Sequence, residues 1–411
     1  MQRQPADYRD GITLTNPFCC TNIEQNCSPE GAPKILMTQS STQSSGTDNA
    51  NISLLSTLVI QGYRGDYAEP RTDLEHLTPQ LDRVAGFNEE QFPEFVELAD
   101  THHVTVRALR VLEWLAIQQQ KKQVQEWCEA AIEAENSRIG RAVEWLYAIV
   151  QALQSSGCPV SVIKSLDHWP DLGSDLDLYT SGAPDQVVRV MQEKLHAKLE
   201  PRSWGDRLAN KWNFEVPGLK ELVEIHVQYL GQTGEQRQLA QRVLERSVQR
   251  TVNGRTFPVA GPEERILIST LQRMYRHFYF RLCDMADMAA LLQSGAVDFA
   301  ELRRGAESGG IWPGVASFLV IVAGYVKQYG GNVSLPREVI ESAYSPDLSV
   351  QFKNKFLRVP MRPAAGLYGS QLLNASLHRD FRAMSRLPLL PPLAVSALVA
   401  YRLTGSDKGV W

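Results

Sequence analysis

The spacing of the apolar residues changes at Gly157. Up to Ser156 they recur three and four apart, as in Val143, Leu146, Val150 and Leu153, which lines them up on one face of a helix that Gly157 stops. Beyond Pro159 the spacing drops to two: the β-branched run Val160-Ser161-Val162-Ile163 is followed by Asp175-Leu176-Asp177-Leu178-Tyr179, in which polar and apolar residues alternate. A pattern of period two does not settle on one face of a helix, so the chain has to pass from helix into sheet here. Asp185 to about Leu199 reads as an amphipathic helix, and Lys211 to Val216 and Leu222 to Tyr229 as two further strands around Pro217-Gly218, giving the order β, β, α, β, β. From Glu263 the helical period returns. The stripe Leu267, Leu271, Met274, Phe278, Leu282, Met285, Ala289 and Leu292 predicts one long helix ended by Gly295. Asp298, Gly309-Gly310, Trp312-Pro313 and Gly330-Gly331 then punctuate shorter helices. The expected fold class is α+β: a small mixed-sheet core over 157–260, flanked by an N-terminal helical region (53–156) and a C-terminal one (261–411).

Residues 1–52 are polar and turn-rich, culminating in the Ser/Thr/Gln stretch from Thr38 to Thr47, and a disordered tail is expected there; Met37 precedes that stretch as a second candidate start of translation. The remaining length, within 411 residues of 43% apolar content, suffices for a sizeable core. Lys and Arg number 42 against 46 Asp and Glu, so no overall positive field exists to hold a long nucleic-acid duplex. Cys19, Cys20, Cys27, Cys128, Cys158 and Cys283 are too irregularly placed for a disulfide framework or a zinc quartet, which points to a reducing, cytoplasmic setting. The first thirty residues lack the apolar segment of a signal peptide. The longest apolar stretches, Val315 to Val326 and Leu387 to Tyr401, fall short of the roughly 20 residues of a membrane span, so core helices are expected instead.

Chemistry concentrates at Gly173-Ser174-Asp175-Leu176-Asp177-Leu178, a loop entering a strand. Residues two apart on a strand share a face, so Asp175 and Asp177 set two carboxylates side by side while Leu176 and Leu178 anchor the other face. Gly173 allows a phosphate close to the backbone, and Ser174 offers it a hydroxyl and an N–H. Glu224, flanked by apolar residues on a later strand, supplies a third carboxylate. Hard oxygen ligands of this kind select Mg²⁺ or Mn²⁺.

These residues resemble a known superfold. The Gly173–Leu178 loop entering a strand, a later strand with a lone acid and a following helical region look like the nucleotidyltransferases of polymerase-β-like fold. More narrowly, the Ile163-Lys164-Ser165 strand end, Val223-Glu224-Ile225-His226, and Arg281 with Asp284 are similar to the uncharacterised nucleotidyltransferases of the NTP_transf_5 type, over roughly residues 90 to 300. The resemblance implies transfer of a nucleoside monophosphate from an NTP to a hydroxyl with release of pyrophosphate, by a two-metal mechanism in which Asp175, Asp177 and Glu224 are the catalytic acids and metal ligands. The acceptor stays open between a small molecule, a protein and an RNA end. Glutamate at 224 replaces the aspartate usual in the wider superfold, so a nucleotide-binding relative without catalysis is a second reading; a metal-dependent Asp-x-Asp glycosyltransferase is a third.

Other residues have competing readings. Lys164 ends an apolar strand, where its ammonium either binds a phosphate of the nucleotide or lowers the charge on the acids, or simply reaches solvent. His226 is expected as a packing residue on the strand face opposite Glu224. On the long helix Arg273, His277, Arg281 and Asp284 fall on one polar face, either a basic wall for a triphosphate or acceptor or an exposed face in which Arg281 pairs with Asp284. Lys121 and Lys122 read as a solvated helix end, and Cys158 and Cys283 as buried thiols.

Overall fold

The computed structural model describes residues 40–63, 70–345, 348–359, 361–393, 395, 396 and 399. The chain divides into a short segment, Met1–Ser44, and a body, Ser45–Trp411, to which the following applies. The helices of the body open with α1 (Ser40–Gly62), α2 (Thr78–Ala85), α3 (Gln91–Thr101), α4 (Thr105–Gln118) and the long α5 (Lys122–Ser155). Of the expected tail, residues 1–39 lie outside the described ones, and residues 40–52 belong to α1. At the far end of α1, Ile52, Leu55, Leu58 and Val59 are buried and anchor the helix by packing rather than by propensity.

After α5 come β1 (Val160–Val162), β2 (Asp175–Thr180), α6 (Pro184–Leu195), β3 (Lys198–Leu199), α7 (Trp204–Ala209), β4 (Lys211–Glu215), β5 (Leu222–Val227), α8 (Arg237–Glu245), β6 (Val248–Val252) and β7 (Arg255–Val259). The expected β, β, α, β, β series is present as β1, β2, α6, β4 and β5. Two-residue β3 and the β6–β7 hairpin extend it to a seven-stranded mixed sheet in the order β3-β4-β5-β2-β1-β7-β6. Asn253-Gly254 makes the hairpin turn, with both residues at positive φ, the backbone signature that the sequence analysis passed over. At the centre β2 and β5 run parallel, with Asp177 opposite Glu224 and Tyr179 opposite His226.

The C-terminal part holds α9 (Pro262–Gln272), β8 (Tyr279–Phe280), α10 (Leu282–Gln293), α11 (Phe299–Ser308), α12 (Trp312–Gln328), α13 (Arg337–Ser342), β9 (Gln351–Lys353), β10 (Phe356–Arg358), α14 (Met361–Leu377) and α15 (Phe381–Arg386). Asp298 caps α11 by accepting from the Ala300 and Glu301 amides, as its place before an apolar run foretold. The apolar stretch from Val315 to Val326 is buried within α12, and among the described residues no helix is long and apolar enough to cross a membrane. One apolar core joins α1–α4 to α9–α12, and a second lies between the sheet and α5 and α6.

The long helix expected from Glu263 to Leu292 does not form. After Gln272 the backbone widens into a single π-helical stretch, Arg273–His277, Phe278 takes φ 55°, and Tyr279–Phe280 pair with β10 in a three-stranded sheet, β8-β10-β9. The apolar period carries through the break because Met274, Leu282 and Met285 are all buried, so periodicity alone does not reveal it. Strand partners nearly 80 residues away decide the local conformation, as tertiary pairing overrides helical propensity.

Candidate active site

Alternation on β2 buries Leu176 and Leu178 on one face of the sheet and turns Asp175 and Asp177 to the other. Register with β5 brings Glu224 beside Asp177, so the three sequence-predicted acids meet on one sheet face. Arg138 on α5 fastens the loop before them, donating to the carbonyls of Leu172 (2.9 Å) and Gly173 (3.3 Å). Ser174 Oγ donates to Asp175 Oδ2 at 3.2 Å. The Asp177 amide donates to Ser165 Oγ at 2.7 Å, tying the acidic strand to the turn after β1. Gly173 lines the same cleft at an ordinary φ; a β-carbon there would sit 3.5 Å from His103 Nε2.

Each acid has a different electrostatic setting. Burial, with Asp177 and Glu224 close by, pushes Asp175 up to about 6. Asp177 is still more buried, yet Lys164 and His226 outweigh that and hold its carboxyl well below the usual range. The Lys164 ammonium is ion-paired with Asp177 Oδ1, and Lys164 itself sits at φ 64°, a left-handed conformation strained for a lysine. Glu224 Oε1 accepts from Lys211 Nζ at 2.9 Å, and Lys211 also contacts Asp206 Oδ1 at 3.1 Å. Nothing in the sequence singled out Lys211; the one signal is its place two residues from Asn213, the residue paired with Glu224 across β4 and β5.

His226 is placed differently from expectation. Glu224 and His226 are two apart on a regular strand and therefore share a face, so the ring turns toward the acids: Nε2 lies 3.7 Å from Asp177 Oδ1. Burial keeps this imidazole below its ordinary pKa, against the pull of Asp177.

Opposite the acids, the broken helix forms a basic wall. Arg273, Arg276, His277, Tyr279 and Arg281 face Lys164, Asp175, Asp177 and Glu224 across a cleft of about 230 Å³, which His103 and His168 also line. Arg276, His103 and His168 lie off the single helix face that the sequence pattern marks. The alternative of a plain Arg281–Asp284 side-chain pair is not what forms. Asp284 Oδ2 accepts from the Arg281 backbone amide (2.7 Å) and lies 2.8 Å from Arg273 Nε, leaving the Arg281 side chain out of any ion pair among the described residues. Arg273 Nη1 and Arg281 Nε are buried and make no hydrogen bond among the described residues.

A second, smaller and more apolar pocket of about 40 Å³ adjoins the cleft, lined by Ile163, Leu230, Ile268 and Leu271 and sharing Lys164, Gln272 and Arg276 with it. The donor set suits a hard divalent cation: three carboxylates crowd one sheet face, the pKa of one raised by burial and by the other two, and a buried imidazole beside them has no hydrogen-bond partner among the described residues. Cys158 and Cys283 are buried free thiols, as expected. Lys122 is exposed at the start of α5 and Lys121 half-exposed before it, also as expected.

A comparison with curated proteins finds no match. The profile of a family described as uncharacterised nucleotidyltransferase matches residues 88–326, which holds the whole seven-stranded sheet, both sides of the cleft, α9–α11 and all but the end of α12. With more than half of its length matched, the chain belongs to this nucleotidyltransferase family.

Proposed function

We propose that the protein transfers a nucleoside monophosphate from an NTP to a hydroxyl acceptor, releasing pyrophosphate. The observation that carries this reading is the register of two parallel strands, Asp177 beside Glu224 with Asp175 next to them, facing a wall of arginines across one cleft. Asp175, Asp177 and Glu224 would hold Mg²⁺ or Mn²⁺, which when bound neutralises charge on the reacting phosphorus and activates the attacking hydroxyl. The rest of the work falls to the chain itself. Arg273, Arg276 and Arg281 present charge to the triphosphate, with Gly173 and the Ser174 hydroxyl on the opposite rim, a case of positioning and preorganised electrostatics. Lys164, drawn onto Asp177 at rest, lies within the same cleft for a phosphate oxygen. The acceptor is a small molecule, a protein hydroxyl or an RNA end. Three buried free cysteines agree with a cytoplasmic setting.

Incubation with each NTP labelled at the α or the γ phosphate, Mg²⁺ or Mn²⁺, and cell lysate as acceptor pool tests the reading. Incorporation of α-label but not γ-label, lost in Asp175→Ala/Asp177→Ala, is the expected result; incorporation of γ-label instead would replace nucleotidyl transfer with phosphoryl transfer. The ion pairs that already neutralise Asp177 and Glu224 favour one second reading, a nucleotide-binding relative without catalysis, and NTP binding with no incorporation of either label would establish it.

A further inference from the structure

Nucleotidyl transfer as described leaves one buried group in the site without a task. His226 is 6% exposed, and neither Nδ1 nor Nε2 has a hydrogen-bond partner among the described residues. A buried imidazole with both nitrogens unpaired carries a desolvation penalty that a merely packed histidine normally avoids by bonding to backbone or water. Its nearest acidic atom, Asp177 Oδ1, is 3.7 Å from Nε2, beyond hydrogen-bond range. One ligating atom each from Asp177, Glu224 and His226 lie within 4.8 Å of one another.

We propose that His226 is a direct ligand of the cation at this site, with Asp177 and Glu224, and that this set selects a first-row transition dication such as Mn²⁺ over Mg²⁺. The proposal rests on the reading of the acids as a cation site and deepens it. Two hydrogen-bonded strands fix all three donors: Glu224 and His226 are two apart on β5, and Asp177 stands opposite Glu224 on β2. Such placement is set by the sheet rather than by loop mobility, which is how a ligand set is held rigid. Lys164 also reaches Asp177, but on a flexible four-carbon stem that can withdraw, whereas the ring of His226 has two side-chain torsions and sits in the strand. The choice of metal follows from the donors. Mg²⁺ takes an all-oxygen, largely hydrated octahedron, while an imidazole nitrogen strengthens binding of the later divalent metals.

Mn²⁺ alone, added to the full chain, serves as a paramagnetic probe. Pulsed electron paramagnetic resonance of bound Mn²⁺ is expected to show coupling to a directly bound nitrogen, which changes isotope when the protein's histidines are ¹⁵N-labelled. The coupling should vanish in His226→Gln, with Mn²⁺ affinity down about 10–100-fold, the range seen on disturbing a metal site's supporting ligands. Since His226 is buried, His226→Asp is the companion variant: it restores an oxygen donor, so it should keep a cation, lose the nitrogen coupling and shift preference from Mn²⁺ toward Mg²⁺. Mn²⁺ bound in an Asp177-dependent way without nitrogen coupling, or with coupling that survives His226→Gln, overturns this proposal and leaves nucleotidyl transfer standing. Failure of the unaltered protein to bind Mn²⁺ in any Asp177-dependent way overturns both.

Discussion

Two buried charge clusters lie on either side of the turn after β1, and they are built on opposite terms. In the first, Arg107 is fully buried and saturated: it donates to Asp171 Oδ2 (2.8 Å), Asp287 Oδ1 (2.7 Å) and the His103 carbonyl (3.1 Å). The second oxygen of each acid is taken as well, Asp171 Oδ1 by the Val106 amide (2.6 Å) and Asp287 Oδ2 by His168 Nδ1 (2.5 Å). Burial alone would raise the Asp287 carboxyl, but Arg107 and His168 hold it below the usual range. In the second cluster, Asp177, Glu224, His226 and Lys164 are brought just as close, yet both nitrogens of His226 lack a hydrogen bond and Lys164 pays in backbone strain. A saturated network locks α4, the 165–168 turn and α10 together, whereas an unsaturated one of similar charge is stable only if something else completes it. Burial and charge count do not separate structure from function here; satisfaction does.

Single substitutions separate the two clusters. Asp177→Asn should lower nucleotidyl transfer by ~10³-fold or more, the scale on which preorganised charge at a reacting centre acts, with the fold retained although the ion pair with Lys164 is lost. Comparable activity in this variant would dissolve the distinction. Arg107→Met should do the reverse. It removes the one ion-pair partner of Asp171 among the described residues and leaves Asp287 with His168 alone, a loss of about 3–5 kcal/mol in chemical denaturation, with transfer per folded molecule retained. Should Arg107→Met leave stability unchanged, the saturated network is not what holds these elements together.

The pH dependence of the acidic cluster comes next in size. Asp175 is pushed up to about 6. A carboxyl raised in the folded state favours folding when protonated: its contribution is complete below the ordinary carboxylate value and is lost as pH rises through about 6, on the order of 3 kcal/mol. Without added cation, Asp175→Asn should therefore be more stable than the unaltered protein at pH 7.5 and equal to it near pH 4, measured by urea unfolding at each pH. Cation binding runs the other way, since it needs the ionised acid: affinity should climb up to pH 6 and level off above, with proton release seen calorimetrically below 6 and absent at 7.5.

The same contrast marks what could be read from the sequence. Asp175, Asp177 and Glu224 were legible because alternation on two strands fixes their facing whatever the rest of the fold does. His226 was legible by the same rule, two residues from Glu224, but its facing was assigned to the wrong side. The saturated network was not legible at all, since Arg107, Asp171 and Asp287 are spread over 180 residues and no local pattern links them. Nor was the broken helix: Arg273, Arg276 and Arg281 share the cleft through a π-helical stretch and a strand whose partner, β10, follows α13. Local periodicity conveys which side of an element is buried and not where distant pairing will interrupt it.

The smallest effect bears on that basic wall, and Arg281 is the residue that isolates it. Its structural task is carried by the backbone: the Arg281 amide donates to Asp284 Oδ2 at the start of α10, a bond that survives any side chain at 281 except proline. The guanidinium lies 5.9 Å from the centroid of the Phe356 ring and lines the cleft, its Nε without a hydrogen bond among the described residues. Arg281→Ala should accordingly unfold at nearly the unaltered temperature while KM for the NTP rises about tenfold, the worth of one charge-assisted hydrogen bond at the lower end of its range. Arg281→Lys should recover part of that loss by keeping the charge without the planar fork. A KM unmoved by Arg281→Ala would return this side chain to the ordinary solvated face that the sequence offered as its other reading, and confine the unsatisfied cluster to the sheet side of the cleft.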